Sequence, residues 1–493
     1  MSDALSSLRS VLAPQKGMKR IPFPTESYQH PSLPLSAKRL LNVFVEQQPA
    51  DARTEAALLT TPGMQTWITA GDGPIWAVNN DQQSFWYIVS GTKFYRYTNA
   101  APPALPNLEM LGDVGSPSVP GRFSYLDMIT VAVGKPGAVV VVPPNAFVCT
   151  NSAATVDLIG GTWPDGGASS VAFLDDYYVF TSPTSGQFFI SRLADPTLFD
   201  ALDFATNDGG GDVRVMAVNG ELWFGSPGGF EIWYDSGDAD FPFRPRRSAR
   251  ISQGVGAPQS MAVGDGSLFW LGIDGIVYRS DGYRAVRIST HGVESVTQAI
   301  GTLVESAFCT THRGHIFYVL NYPGRTLAYD CSTKQWADRA SSLDGSGRWR
   351  GNATASIEID QSIVGDRISG KIFQQIEGFG DEDGVNVLRQ VIMPQLWAGT
   401  NREFCNRLEV EMETGVAGAP GSMVLDWSND GGITWTGGPR TLNTGSDFNR
   451  QGRVYTNRLG SFRQRVFRLT WHGHATIFAV DADMTGPPQT SGG

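Results

Sequence analysis

Residues 268–280 read LFWLGIDGIVYRS, two runs of aromatic and β-branched residues that meet at Gly275. Such runs suit pleated, half-buried strands. A tight turn between them wants positive φ, which glycine adopts at least cost. The segment is therefore a β-hairpin, and the chain repeats it. Upstream, FWYIVSGTKFYRY turns around Gly91, ITVAVGKPGAVVVV around Gly137, YYVFTSPTSGQFFIS around Gly186 and LWFGSPGGFEIWY around Gly229. Downstream, IFYVLNYPGRTLAYD turns around Gly324 and SIVGDRISGKIFQQI around Gly370. The glycines lie 46, 49, 43, 46, 49 and 46 residues apart.

A further strand precedes most copies, as in WAVNND (76–81), SSVAFLDD (169–176) and PQSMAVGDG (258–266). Four strands in about 40–50 residues is the size of one propeller blade. A lone four-stranded sheet cannot bury both faces. Radial stacking buries each face against the next and leaves only short edges. The expected fold is all-β: a propeller of seven blades, or of six if the first or last hairpin belongs to a neighbouring domain.

The flanks read differently. Residues 1–45 are proline-spotted and extended, an arm of the kind that reaches onto a neighbour or stays disordered, ending in a platform strand, LLNVFVEQQ (40–48). From about 385 the segments VLRQVIMPQLW, RLEVEMETG, GSMVLDWSNDGGITWTG, RVYTNRLGSF, QRVFRLTWHG and ATIFAVDADM alternate in polarity, as a β-sandwich does. The boundaries expected are an arm at 1–45, a propeller at 46–380, a sandwich at 381–486 and a flexible tail at 487–493.

The composition agrees. The 493 residues include 57 Gly and 29 Pro, and only 17% are charged. The net charge of −10 argues against wrapping DNA, which requires clustered cations to displace phosphate counterions. It is compatible with a wall that DNA slides past. Cys149, Cys309, Cys331 and Cys405 are scattered, without a C-x-x-C pair, so buried or unpaired thiols in a reducing compartment are expected. Residues 2–13 could form a short helix but lack the long apolar core of a signal peptide. No stretch approaches the roughly 18 apolar residues of a membrane span.

Few residues suggest chemistry. Ser428–Trp435, SNDGGITW, matches the Asp-box pattern, in which Asp430 and Ser428 bond a turn's backbone and the tryptophan packs below. That role is structural. His472 and His474 share a strand face, but Gly473 lies between them and a third metal ligand is missing. These histidines, like His312 and His315, read as surface or interface residues. Glycoside hydrolysis needs two converging carboxylates, and nothing marks a pair among the 48 acidic residues. No P-loop, G-x-S-x-G or H-E-x-x-H motif occurs. No catalytic residue, metal or cofactor is expected. The densest basic run is FPFRPRRSARIS (241–252), with Arg244, Arg246, Arg247 and Arg250. It is either a contact for an acidic neighbour or passing phosphate backbone, or a solvated loop with local ion pairs.

Several long runs resemble the packaged-DNA stabilisation proteins, or tail hub and nozzle proteins, of short-tailed bacteriophages. They are DPTLFDALDFATNDGGGDVRVMAVNGELWFGSPGGFEIWYDSGDADFPF (195–243), ISQGVGAP (251–258), FWLGIDGIVYRSDGYRAVRISTHGVES (269–295) and YDCSTKQWADRAS (329–341). LNVFVEQQP and LLTTPGM near 41–64, and RVYTNRLGSFRQRVFRLTW (453–471), fit as well. The resemblance implies a non-enzymatic structural virion protein, assembled in the host cytoplasm. It implies a closed ring, typically of six copies, below the portal and its adaptor. Such a ring narrows the DNA exit channel, retains the packaged genome and supports fibres, spikes or a needle during ejection. DNA would pass without sequence-specific binding. Two other classes fit a propeller: a carbohydrate-binding or glycan-degrading phage protein, and a cellular protein scaffold.

Overall fold

The computed structural model describes residues 18–49, 51–52, 54–81, 85–98, 107–117, 126–130, 137–149, 157–159, 167–199, 204–206, 214–358, 361–413, 420–436, 438–444 and 452–485. The possible helix at 2–13 and the tail at 487–493 lie outside these residues.

The repeat folds into antiparallel four-stranded sheets in chain order. The first blade comprises Ile75–Asn80, Phe85–Ser90, Lys93–Thr98 and Asn107–Asp113. The second begins at Asp127–Thr130, the third at Ser170–Leu174, the fourth at Arg214–Val218 and the fifth at Ala262–Gly264. Another blade takes three strands from Gly351–Glu358, Gln361–Asp366 and Lys371–Ile376. Its fourth is β6 (Gly63–Thr69), which pairs with Lys371–Ile376. A strand from before the first blade thus closes the last one, and the ends of the repeat are fastened by a hydrogen-bond ladder.

The first five of these blades are separate sheets, and the sheet of the closing one continues beyond β6 into Asp381–Glu382 and Val385–Asn386. A further four-stranded set, Ser306–His312, His315–Tyr322, Arg325–Asp330 and Gln335–Arg339, fills the sector between the fifth and closing blades. It is also one end of an eleven-stranded sheet that continues into the sandwich. The seven glycine hairpins resolve into six blades and one sector shared with the neighbouring domain.

Five of the seven glycines lie between the second and third strands of a set and Gly229 opens the third strand of its own, at a positive φ in Gly91 (60°), Gly229 (130°), Gly275 (75°) and Gly324 (78°). Gly137 breaks the phase. It precedes the second strand, and that blade makes its second-to-third turn at Pro143–Pro144. Gly370 is needed for room rather than for φ: a Cβ there would stand 2.0 Å from the Gly71 carbonyl oxygen.

The N-terminal region stitches the domains together. LLNVFVEQQ was expected to be one strand, but the chain turns sharply at Asn42, whose φ is 54°. β3 (Ala37–Leu41) and β4 (Val43–Gln47) therefore enter different sheets. β3 lies between Gln335–Arg339 of the propeller and Leu388–Ile392 of the sandwich, and so joins the two halves of the eleven-stranded sheet. The Asn42 amide holds the corner, donating to the Ala340 and Leu388 carbonyls at 2.8 Å each. β1 (Met18–Arg20) pairs with Thr476–Thr485, and β2 (Tyr28–Gln29) with β3. The described part of the arm therefore packs on its own chain.

In the sandwich, β4, β5 (Ala56–Thr60), Thr476–Thr485, Glu403–Met412 and Gly452–Asn457 form one layer. Leu388–Ile392, Gln464–His472, Ser422–Ser428 and Arg440–Asn443 form the other. Leu408, Val410, Leu425, Leu469, Trp471 and Val480 fill the core between them. One element was not anticipated: α1 (His291–Ile300), the only α-helix among the described residues, which follows the fifth blade.

Candidate functional site

The innermost strands of the blades face a common axis, and a charged pair spans it. Arg214 begins the fourth blade and Asp127 the second. Arg214 Nη2 donates to Asp127 Oδ1 at 2.6 Å and Nε to the same oxygen at 3.1 Å. Arg214 Nη1 also donates to the carbonyls of Pro258 and Met261, at 2.9 and 3.0 Å, just before the fifth blade. From the third blade, the Ser170 hydroxyl donates to Asp127 Oδ2 and accepts from the Val215 amide at 3.2 Å. Four consecutive sectors are thus locked at the axis by one guanidinium, one carboxylate and one hydroxyl. The side chains are 14% and 7% exposed, so solvent screens the pair little. Cavities of about 230 and 370 Å³ flank it, and Asn79, Asp127, Met128 and Arg214 line both. Those cavities are far too small for a duplex whose major groove alone is about 12 Å wide.

The second concentration of buried charge lies where propeller meets sandwich. β4 and β5 alternate their faces, as strands must. Val43, Val45 and Leu58 point into the sandwich core. Phe44 and Leu59 point the other way, among Phe308, Phe317, Val319, Trp349, Val364 and Phe373 of the propeller. Apolar packing is therefore continuous across the junction. Beside it, His315 bonds Asp330 at 2.7 Å through Nδ1 and Glu46 of β4 at 2.6 Å through Nε2. Arg339 is fully enclosed, with its guanidinium 5.1 Å from the Phe317 ring centre and 4.8 Å from that of Trp349. Burial lowers its pKa to about 10, against the opposing pull of Glu382 and Asp330. Burial raises the Glu382 carboxyl, although Trp349 donates to it at 2.9 Å.

The four arginines singled out in the sequence lie on Phe243–Ile251, the outer edge strand of the fourth blade, away from the axis. Arg244 pairs with Asp238. Arg246 pairs with Glu221 at 2.6 Å and lies 4.7 Å from the Tyr234 ring centre and 5.8 Å from that of Tyr283 on the fifth blade. Arg247 and Arg250 are exposed. The run is a strand rather than a loop, and Arg244 and Arg246 are engaged in ion pairs within the propeller.

A family model described as "Bacteriophage P22 Gp10, beta-propeller" matches residues 35–375, and one described as "Bacteriophage P22 Gp10, beta-sandwich" matches residues 389–485. The chain belongs to the bacteriophage P22 Gp10 family. That membership makes it a structural protein of the phage tail, carried in the virion. No curated protein matches this Gp10-family chain. Among solved structures, a streptogramin B lyase is similar at 10% identity over 68% of this chain and 97% of its own, with a TM-score of 0.42. The WD40 propeller domain of Doa1 gives 12%, 64%, 98% and 0.40. YCF48 from Cyanidioschyzon merolae gives 11%, 64%, 98% and 0.41. These likenesses say nothing about function.

The remaining motifs of this Gp10-family chain serve its own framework. Asp430 accepts the Ile433 and Thr434 amides at 3.0 and 2.9 Å and the Ser428 hydroxyl at 2.6 Å. Gly431 and Gly432 adopt φ of 80° and 100° in the same turn. Trp435 lies under Arg468, whose guanidinium is 3.9 Å from the ring centre. His472 and His474 diverge: His472 is exposed, while His474 is buried with Nδ1 2.7 Å from the Thr60 hydroxyl. Among the described residues, no three His, Cys, Asp or Glu side chains gather as metal ligands would. Sequence reading missed Asp127, Arg214 and the Glu46–His315–Asp330 triad. No local pattern marks them, because each partner comes from a different sector.

Proposed function

We propose that the chain is the tail hub or nozzle subunit. Several copies, typically six, would form a closed ring below the portal and its adaptor, narrow the DNA exit channel, retain the packaged genome and support fibres, spikes or a needle. One observation carries the reading: propeller and sandwich are fused through β3 into a single eleven-stranded sheet. Domains joined by a covalent linker alone move relative to one another by default. A shared hydrogen-bond ladder removes that freedom, as a part loaded by pressurised DNA requires. The locked axis adds a constraint, because duplex DNA has to run past the propeller between copies rather than through it. The outer strand bearing the exposed Arg247 then offers a cation to an acidic neighbour or to the passing phosphates, without sequence-specific readout. A head-to-tail contact repeated by rotation closes the ring.

Electron microscopy of the purified protein, alone and with the connector proteins of its phage, tests the proposal. Monomers alone and rings on the adaptor are expected. A stable ring in dilute solution without the adaptor, or no association with it, refutes this account. Sugar released at enzyme-like rates from host glycans would replace the hub by an enzyme.

A further inference from the structure

We propose that His315, doubly protonated, is an ionic clasp that fastens the propeller to the sandwich, so that their coupling weakens as the ring loses one proton. His315 begins the second strand of the shared set, and Glu46 lies on β4, a strand of the sandwich layer. The ring is held at both nitrogens by carboxylates, Asp330 on its own sheet and Glu46 across the junction. A carboxylate only accepts. A neutral imidazole has one N–H and satisfies one of these oxygens, whereas the imidazolium satisfies both. Loss of either proton leaves a ring lone pair facing a carboxylate at hydrogen-bond distance.

The surroundings keep the triad in place. Asp330 is anchored by the Ser332 amide at 2.9 Å and the Thr333 hydroxyl at 2.7 Å. The His315 ring stacks on Phe317, with centres 5.9 Å apart, and meets the edge of Phe44 at 5.1 Å. The other titratable or charged groups facing it are His312 across the hairpin, Arg313 in the turn, which pairs with Glu377, and Arg339 beside Asp330. Burial opposes the ring's charge, yet the two carboxylates outweigh it and raise the pKa. A pKa raised on folding gives stability that is fully present below the unfolded value of about 6.5 and lost as pH rises through the folded value. The clasp is therefore closed below the unfolded value and opens as pH rises through the raised folded value.

The test is made on the full-length chain by histidine-selective NMR and by amide exchange of β4. Both His315 nitrogens are expected to carry protons at pH 6, with a midpoint above that of a free histidine. Glu46→Gln is expected to lower the midpoint. It should also cost β4 amides about tenfold in protection at pH 6, the effect of losing one charge-assisted hydrogen bond. The wild-type-to-variant ratio should fall towards one as pH passes the wild-type midpoint. A wild-type midpoint at or below 6.5, measurable without any variant, overturns the proposal. So does a Glu46→Gln chain whose β4 protection matches wild type at every pH.

Discussion

Replacing Asp127 by Ala leaves the Arg214 guanidinium at the propeller axis without its counter-charge. Breaking a buried ion pair from one side costs about 3–5 kcal/mol. Arg214 keeps the Pro258 and Met261 carbonyls as acceptors, which puts the expected cost at the lower end, about 3 kcal/mol. A propeller of about 300 residues unfolds with an entropy of about 0.6 kcal/mol/K, at about 2.1 cal/mol/K per residue. The melting temperature should then fall by about 5 °C. Arg214→Ala should cost a similar amount. The double variant Asp127→Leu with Arg214→Met removes both charges and keeps apolar bulk, so it should stay within about 2 kcal/mol of wild type. Calorimetry of wild type, the two Ala variants and the Asp127→Ala, Arg214→Ala double variant closes the cycle, and a coupling of about 2 kcal/mol or more is expected. The single-variant losses should persist at high salt, since neither side chain is solvated enough to be screened. Single-variant shifts under about 1 °C, or effects that simply add, would show that the axial lock does not hold the sectors together.

Three further sites give measurable outcomes. Gly324→Val should destabilise by about 1–2 kcal/mol through backbone strain alone, since φ is 78° and the space beside it is open. Gly275→Val should cost more, because its Cβ would also meet the Gln298 side chain at 2.7 Å; chemical denaturation followed by circular dichroism ranks the two. His474 is held neutral by burial and by Arg313 and Arg389, with its pKa lowered to about 4. A lowered pKa means stability present above the unfolded value of about 6.5 and lost progressively as pH falls towards 4. His474→Gln should flatten the dependence of unfolding free energy on pH across that window, and an unchanged slope would exclude the assignment.

Much of the fold could be read from residues close together in the chain. The strands around Gly275 and Gly324 are legible because aromatic and β-branched runs and a positive-φ turn are local steric preferences, independent of what lies across the ring. The sandwich strands could be read for the same reason, from alternation over a few residues. Where local pattern misled, tertiary packing had chosen among acceptable turns. Gly137 has the spacing of its fellows, yet its blade turns at Pro143–Pro144. LLNVFVEQQ has strand propensity throughout, yet Asn42 divides it between two sheets.

Everything that ties the sectors and the two domains together depends on partners distant in sequence. β6 closes the last blade from before the first, β3 joins the domains, Arg214 reaches Asp127 across an intervening blade, and Glu46 meets His315. The sequence by itself determined which segments are strands and that they recur. Only the tertiary structure decided which edges pair and which charges are buried together. The reason is that strand propensity is set by each residue and its neighbours. Ladder closure and the desolvation of an ion pair are properties of the completed ring, in which partners meet only once every sector is in place.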